Sequence, residues 1–320
     1  MSDWARSENF FCPRQKTNDV RARSQLSFAL LALVLIDDTF AHQGLIVICP
    51  TNWSDELNQE NSQRKDFATR VCQMAGDLAL TYFRNRDNLI VDSKGAQDWV
   101  SEADKDVETF IRHEILKAWP DDGIIGEEHG RHVGTSGFDW VIDPIDGTTN
   151  FVNGIPAWTI VLAGVFDDRT EIGVIRDPNV SETFVAERGG GATLNGKKIS
   201  VATDVQLEAG TVSVGYSNRV QPENILPVIA ALIENGAMYH RNASGALSLA
   251  YVAAGRLLGY VEEHMNAWDC LAGQLLVEEA GGAVEKQSAS DMIRDGGRVV
   301  VSTPDVFPEI QRIVDAAWAE

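Results

Sequence analysis

The sequence predicts an α/β chain of the α+β kind, with helices flanking sheets in two halves, and three observations carry that expectation. Two long stretches place apolar residues at helical spacing. A central stretch alternates β-branched and aromatic residues between turn signals. The 320 residues are 44% hydrophobic, enough for a sizeable core in one large domain or two intimate lobes. The expected organisation is an atypical extension over residues 1–60, outside the main fold, then a lobe over 61–200 and a second over 201–320.

The extension reads differently from the rest. Arg14, Lys16, Arg21 and Arg23 precede the apolar run "LSFALLALVLI", which ends against Asp37 and Asp38. That run is short of the roughly 20 residues a membrane helix needs. With "TFA" behind it, it shares features with a secretory signal. The long polar lead-in, the two acids and the lack of disulfide-like cysteine spacing oppose that reading and favour an idiosyncratic extension in a cytoplasmic protein. Buried structural thiols are the expectation for Cys72 and Cys270.

From Arg64 the pattern becomes orderly. "RKDFATRVCQMAGDLALTYFR" spaces Phe67, Val71, Met74, Ala75, Leu78 and Phe83 for an amphipathic helix. "WVSEADKDVETFIRHEILKAW" predicts a second, with Ser101 as N-cap and Asp104 three residues on, in the manner of a capping box. "DWVIDPIDGTTNF" reads as a buried strand ending in acids. Residues 157–200 read as successive antiparallel strands broken at Asp167-Asp168, Asp177-Pro178-Asn179 and Gly189-Gly190-Gly191. Beyond 201 come a strand "GTVSVGY", a helix near 222–235, a helix through "ALSLAYVAAGRLL", a strand "GYVEE" and a helix from "AWDCLAGQLL" to Gly281-Gly282.

Forty-seven acidic against 27 basic residues give a net charge of −20, which argues against nonspecific binding to nucleic acid or to anionic membrane surfaces. A phosphate substrate stays open, because bound divalent cations reverse the sign of a pocket locally. Asp104, Glu127, Glu128 and Asp269 each have a plain explanation as helix caps or loop charges. Asp143 and Asp146 do not. Their apolar entry strand sets two like charges at the edge of the interior, where something positive must lie between them or one must hold a proton. Gly147, Thr148 and Thr149 follow directly and offer N–H groups to an anion.

"WVSEADKDVE", "IIGEEHG", "DWVIDPIDGTTNF" and "NAWDCLAGQLLVEEAGG" together resemble the ordered signatures of the inositol monophosphatase family, over the chain from about Arg64 to its end. The resemblance implies a layered α-β-α-β-α sandwich of the inositol monophosphatase and fructose-1,6-bisphosphatase type, with a metal-binding lobe followed by a substrate lobe. It implies Mg²⁺-dependent, lithium-sensitive hydrolysis of a small phosphorylated polyol or related metabolite, with no stable membrane association, and a homodimer. It assigns Glu127, Asp143 and the carbonyl of Ile145 to one Mg²⁺, and Asp143, Asp146 and Asp269 to a second. Lys94 matches a mobile loop that in relatives helps hold a weaker third ion; a solvated lysine is the plain alternative.

Hard oxygen ligands suit Mg²⁺, which substrate phosphate commonly completes. On this reading Gly147 and Thr148 bind the phosphate. Metal-activated water attacks, its proton passing through Thr148 and Glu127, with Asp104 orienting Thr148. A nucleophilic aspartate of the haloacid dehalogenase type is disfavoured by the D-P-I-D spacing. A partner-binding role, as some bacterial relatives have, stays open. The resemblance places Gly245 and Glu262 against the alcohol half of the substrate. Ser248 stands where relatives often carry Asp or Asn, and His264 is expected to cover the rim. Inositol 1-phosphate is the leading substrate, ahead of histidinol phosphate, fructose bisphosphate and a 3′-phosphonucleotide.

Overall fold

A computed structural model describes residues 53–95 and 98–318. Helix α1 (Trp53–Arg84) is followed by a hairpin of β1 (Val91–Gly95) and β2 (Asp98–Ser101), then α2 (Glu102–Ala118). Seven strands come next in one sheet: β3 (Gly123–Gly126), β4 (Phe138–Asp146), β5 (Thr159–Phe166), β6 (Arg169–Asp177), β7 (Glu182–Glu187), β8 (Gly191–Leu194) and β9 (Lys197–Lys198), with α3 (Thr148–Val152) between β4 and β5. Their spatial order equals their chain order, as hairpin-linked strands give; all pair antiparallel except β3 with β4.

The second half builds a five-stranded mixed sheet. Its strands are β10 (Thr211–Val214), β11 (Met238–His240), β12 (Gly259–Met265), β13 (Ala283–Val284) and β14 (Gly297–Ser302), in the order β11-β10-β12-β14-β13. The helices here are α4 (Pro222–Glu234), α5 (Gly245–Ala253), α6 (Ala267–Glu279), α7 (Ala289–Asp295) and α8 (Phe307–Ala317).

Strand periodicity sorts the apolar side chains into three cores and so sets the layers. In β4, Phe138, Trp140 and Ile142 face a core shared with α1 and α2, while Val141 faces the other way. In β5, Ile160 and Leu162 divide from Val161 and Ala163 in the same manner. That second face meets α5 and α6, which also receive Tyr260, Val299 and Val301 from the five-stranded sheet. On the far side of the smaller sheet, Val212, Val261 and Val300 pack with α4 and α8. Helices, sheet, helices, sheet, helices is the resulting order, and α6 is buried on all sides from Cys270 to Val277 because it lies between two sheets.

Two local findings refine the sequence reading. Helix α1 begins at Trp53, not Arg64, and its buried stripe is Phe67, Ala68, Val71, Cys72, Ala75 and Ala79; Met74 is half exposed at the edge of that stripe. Arg64 is itself buried, stacked between Trp119 and Phe138 and bonded to Asp122. Residues 1–52, with the signal-like run, lie outside the described residues, and so does the Lys94 side chain. No helix among the described residues is long and apolar enough to cross a membrane.

Candidate active site

Pro144 has no N–H to give the ladder, and the β4–β5 register slips between Asp143 and Asp146. Asp143 accepts a hydrogen bond from the N–H of Ile145 at 2.9 Å, which tightens the bulge. The bulge brings Asp143, Ile145 and Asp146 to one cleft of about 150 Å³. Gly147 then turns the chain with φ 98°, in the left-handed region, and caps α3. A Cβ there would also lie 3.0 Å from the carbonyl of Ala157.

Three other elements bring acids to the same place. Glu127 follows the end of β3, and Asp269 stands in the first turn of α6. The carboxylate oxygens of Glu127, Asp143 and Asp269 lie within 4.8 Å of one another. Asp269 closes a capping box with Asn266, so the N-cap is Asn266 and the acid sits three residues inside the helix. Arg219 lies 3.9 Å from Asp269. Burial, followed by the charges of Glu127, Asp146 and Asp269, pushes the Asp143 carboxyl well above its ordinary value. Burial, then Asp269, raises Asp146 to about 7. Asp146 is opposed in this by the start of α5: Ser244 Oγ and the N–H of Ala246, at 2.9 Å, both donate to its Oδ2.

Asp104 approaches from α2. Its Oδ2 accepts from Ser101 Oγ at 2.6 Å and from the Ser101 N–H at 2.8 Å, leaving Oδ1 facing Thr148, whose hydroxyl donates at 3.1 Å. That hydroxyl is also 3.1 Å from the Ile145 carbonyl. Burial raises Asp104 to about 6 against the Ser101 bonds.

The cleft thus gathers Glu127, Asp143, Ile145, Asp146, Gly147, Thr148, Gly245, Glu262 and Asp269, with Asp104 behind Thr148. Ser248 also lines it, bonded to Asn242 at 2.9 Å and to Ser213 at 3.3 Å. His264 sits outside the lining, 3.1 Å from the Asp295 carbonyl.

Sequence reasoning missed Glu108. It is fully buried and accepts from the N–H groups of Glu128 at 2.7 Å and His129 at 3.2 Å, so it shapes the loop that presents Glu127. A Cβ on Gly126 would come within 2.1 Å of its carboxylate, which explains the glycine in "IIGEEHG". An acid four residues before Arg112 hinted only at a helix-surface pair. Arg219, Arg241, Ser244 and Tyr260 were missed as well. Arg219, Arg241 and Ser244 act on residues far away in sequence, at Asp269, Tyr216 and Asp146, so no local pattern marks them; Tyr260 acts on Glu262 two positions on, but an apolar-looking strand residue gives no sign of that bond.

The sequence model of the inositol monophosphatase family matches residues 60–318. Nus factor SuhB of Haemophilus influenzae is 37% identical over 250 residues, which cover 77% of this chain and 93% of the relative. Nus factor SuhB of Escherichia coli strain K12 is 36% identical over 244 residues, 75% and 91% of the two chains. Among solved structures, the extragenic suppressor protein SuhB of Bartonella henselae matches with a TM-score of 0.74 at 31% identity, covering 78% of this chain and 97% of that one. The Thermotoga maritima IMPase matches with a TM-score of 0.71 at 31% identity, covering 80% and 98%.

Proposed function

The chain belongs to the inositol monophosphatase family, and on that premise we propose that it hydrolyses a small phosphate monoester with divalent cations, inositol 1-phosphate being the first candidate. The observation that carries the proposal is the cluster of Glu127, Asp143 and Asp269, with carboxylate oxygens within 4.8 Å in a cleft that also holds Asp146. Like charges gathered this closely around the buried Asp143 are a costly arrangement for a purely structural role.

The donor set fits Mg²⁺, since every available ligand is a hard oxygen. Glu127, Asp143 and the Ile145 carbonyl would hold one ion, and Asp143, Asp146 and Asp269 another. Bound there, the ions would supply positive charge against the phosphoryl oxygens and lower the cost of ionising water. The chain's own residues do the rest. Gly147 and Thr148 offer backbone N–H groups to the phosphate. Asp104 Oδ1 fixes the direction of the Thr148 hydroxyl, and the half-buried Glu127 carboxylate faces the cleft as a proton acceptor. Asp104, raised to about 6, can itself hold a proton near neutrality. The test is turnover of a panel of phosphate esters with and without Mg²⁺; no metal-dependent release of phosphate from any ester would end this reading.

A second reading, a protein-binding role, is motivated by the relatives named Nus factor SuhB. The surface favouring it is the outer side of α4, where Leu226 is 62% and Ile233 57% exposed. An Asp143→Asn chain that loses hydrolysis yet keeps its role in cells would favour it; loss of both would count against it.

A further inference from the structure

Glu262 lies on β12 at the last rung of its pairing with β14, opposite Val299, before the register slips towards Met265. A carboxylate at such a break has little backbone support, yet it is only 7% exposed. Its support comes from Tyr260, two residues earlier and therefore on the same face of the strand. The Tyr260 ring is buried in the core between the sheets, and its hydroxyl donates to Glu262 Oε2.

Two glycines make room for this pair. A Cβ on Gly215 would come within 2.0 Å of Glu262 Oε2 and 2.2 Å of the Tyr260 hydroxyl oxygen. Gly215 cannot retreat, because its N–H bonds the Val261 carbonyl at 2.8 Å, between the two side chains it faces. Its backbone lies outside the left-handed region, so close approach and not conformation calls for glycine here. On the other side, a Cβ on Gly245 would lie 3.1 Å from the same hydroxyl. Burial raises Glu262 to about 7, and the bond from Tyr260 is the foremost influence favouring its ionised form.

We propose that Tyr260 is a positioning residue: gripped between Gly215 and Gly245, it holds one oxygen of Glu262 so that the other is presented to the cleft as a fixed acceptor for a hydroxyl on the alcohol half of the substrate. The inference rests on the phosphatase reading and adds to it the residue that fixes this acceptor, which predicts how the preference among esters depends on Tyr260. The alcohol carries at least one hydroxyl donor beside the ester, as a polyol phosphate does and a simple aryl phosphate does not. A carboxylate fixed by a neighbour loses less rotamer freedom on binding, and an analogue without the hydroxyl leaves it unpaired.

The experiment compares myo-inositol 1-phosphate with p-nitrophenyl phosphate, which has no such hydroxyl, in the full chain with Mg²⁺. Tyr260→Phe keeps the ring and removes the donor. Gly215→Ala keeps both side chains and pushes them apart. Each is expected to lower the ratio of kcat/KM for the polyol ester to that for the aryl ester by about tenfold, through KM for the polyol ester. Combining Tyr260→Phe with Glu262→Gln should add little to Glu262→Gln alone. Equal losses on both esters, leaving the ratio unmoved, would mean a merely structural tyrosine and overturn the inference. Wild-type protein that turns over another phosphate ester with Mg²⁺ but not the polyol ester would overturn this inference alone, whereas turnover of no ester at all would overturn the phosphatase reading and this inference with it.

Discussion

Asp122 and Asp143 are both buried aspartates beside strand β4, one near its entry and one at its exit, and their surroundings differ completely. Asp122 accepts from Arg64 Nε at 3.1 Å and Nη2 at 3.0 Å, from Trp140 Nε1 at 3.0 Å and from Ser136 Oγ at 2.7 Å. Its charge is matched and its lone pairs are filled. Asp143 has one backbone donor, and three acids surround it. A buried acid with its counter-charge in place holds the fold together, whereas one placed among acids is built for a cation that arrives from outside.

The largest expected effect breaks the comparison at its functional end. Asp143→Asn removes a carboxylate that both metal positions share, so turnover of any accepted ester should fall by more than about 100-fold, with the far-ultraviolet circular dichroism unchanged. Substantial activity in metal-saturated variant would remove Asp143 from the centre. At the other end, Asp122→Asn leaves the Arg64 guanidinium buried with Glu60 as its remaining acid partner, at 2.7 Å. It should cost roughly 2–3 kcal/mol of stability by denaturant unfolding, while activity per folded molecule stays within about twofold.

Acidity sharpens the same contrast. The metal-free native state holds protons on Asp143 and Asp146 that the unfolded chain releases near its ordinary carboxylate value of 3.8. Between about pH 4 and 7 the folded form therefore binds more protons than the unfolded form, and stability falls as pH rises through that window. Protein treated with EDTA should melt several degrees higher at pH 5 than at pH 8, as thermal unfolding reports. Added Mg²⁺ should stabilise more at pH 8 than at pH 5, and Asp143→Asn should flatten the metal-free slope. A metal-free Tm that rises from pH 5 to pH 8 would contradict the assigned shifts.

What the sequence disclosed follows the range of each interaction. The capping box of Ser101 and Asp104 is an i, i+3 contact and could be read directly, whereas the bulge at Pro144 was read only as the end of a strand, because it depends on the register with β5. The bond from Ser244 to Asp146 spans 98 positions, and that from Glu108 to the Glu128 N–H spans 20. Nothing in a short window reports such pairs. Strand β14 escaped notice although "RVVVS" is strongly apolar, because the run is brief and lacks the alternation that marks a half-buried strand. Met74 misled by type: its apolar side chain suits the stripe, but the adjacent Ala75 takes the buried position. Glu108→Gln tests the missed support. It weakens the two N–H bonds that shape the Glu127 loop, and should lower kcat by about 5- to 10-fold and raise the Mg²⁺ requirement, as metal titration of turnover would show.

The smallest expected effect comes from shortening the chain. Family similarity begins at residue 60 and helix α1 at Trp53, while Asn61 and Arg64 are the first buried polar side chains described. Removing residues 1–52 takes away nothing that touches either aspartate among the described contacts, so Tm should move by no more than about 2 °C and kcat by less than about twofold. Extending the cut through Arg64 is a different operation. It deletes the guanidinium that fills Asp122 and stacks on Trp119 and Phe138, so stability should drop by at least as much as in Asp122→Asn, with soluble yield falling accordingly. Differential scanning calorimetry of the two truncations side by side decides the point. A large loss at the first cut would place a stabilising contact within residues 1–52, and no loss at the second would show that Asp122 keeps its place without its cation.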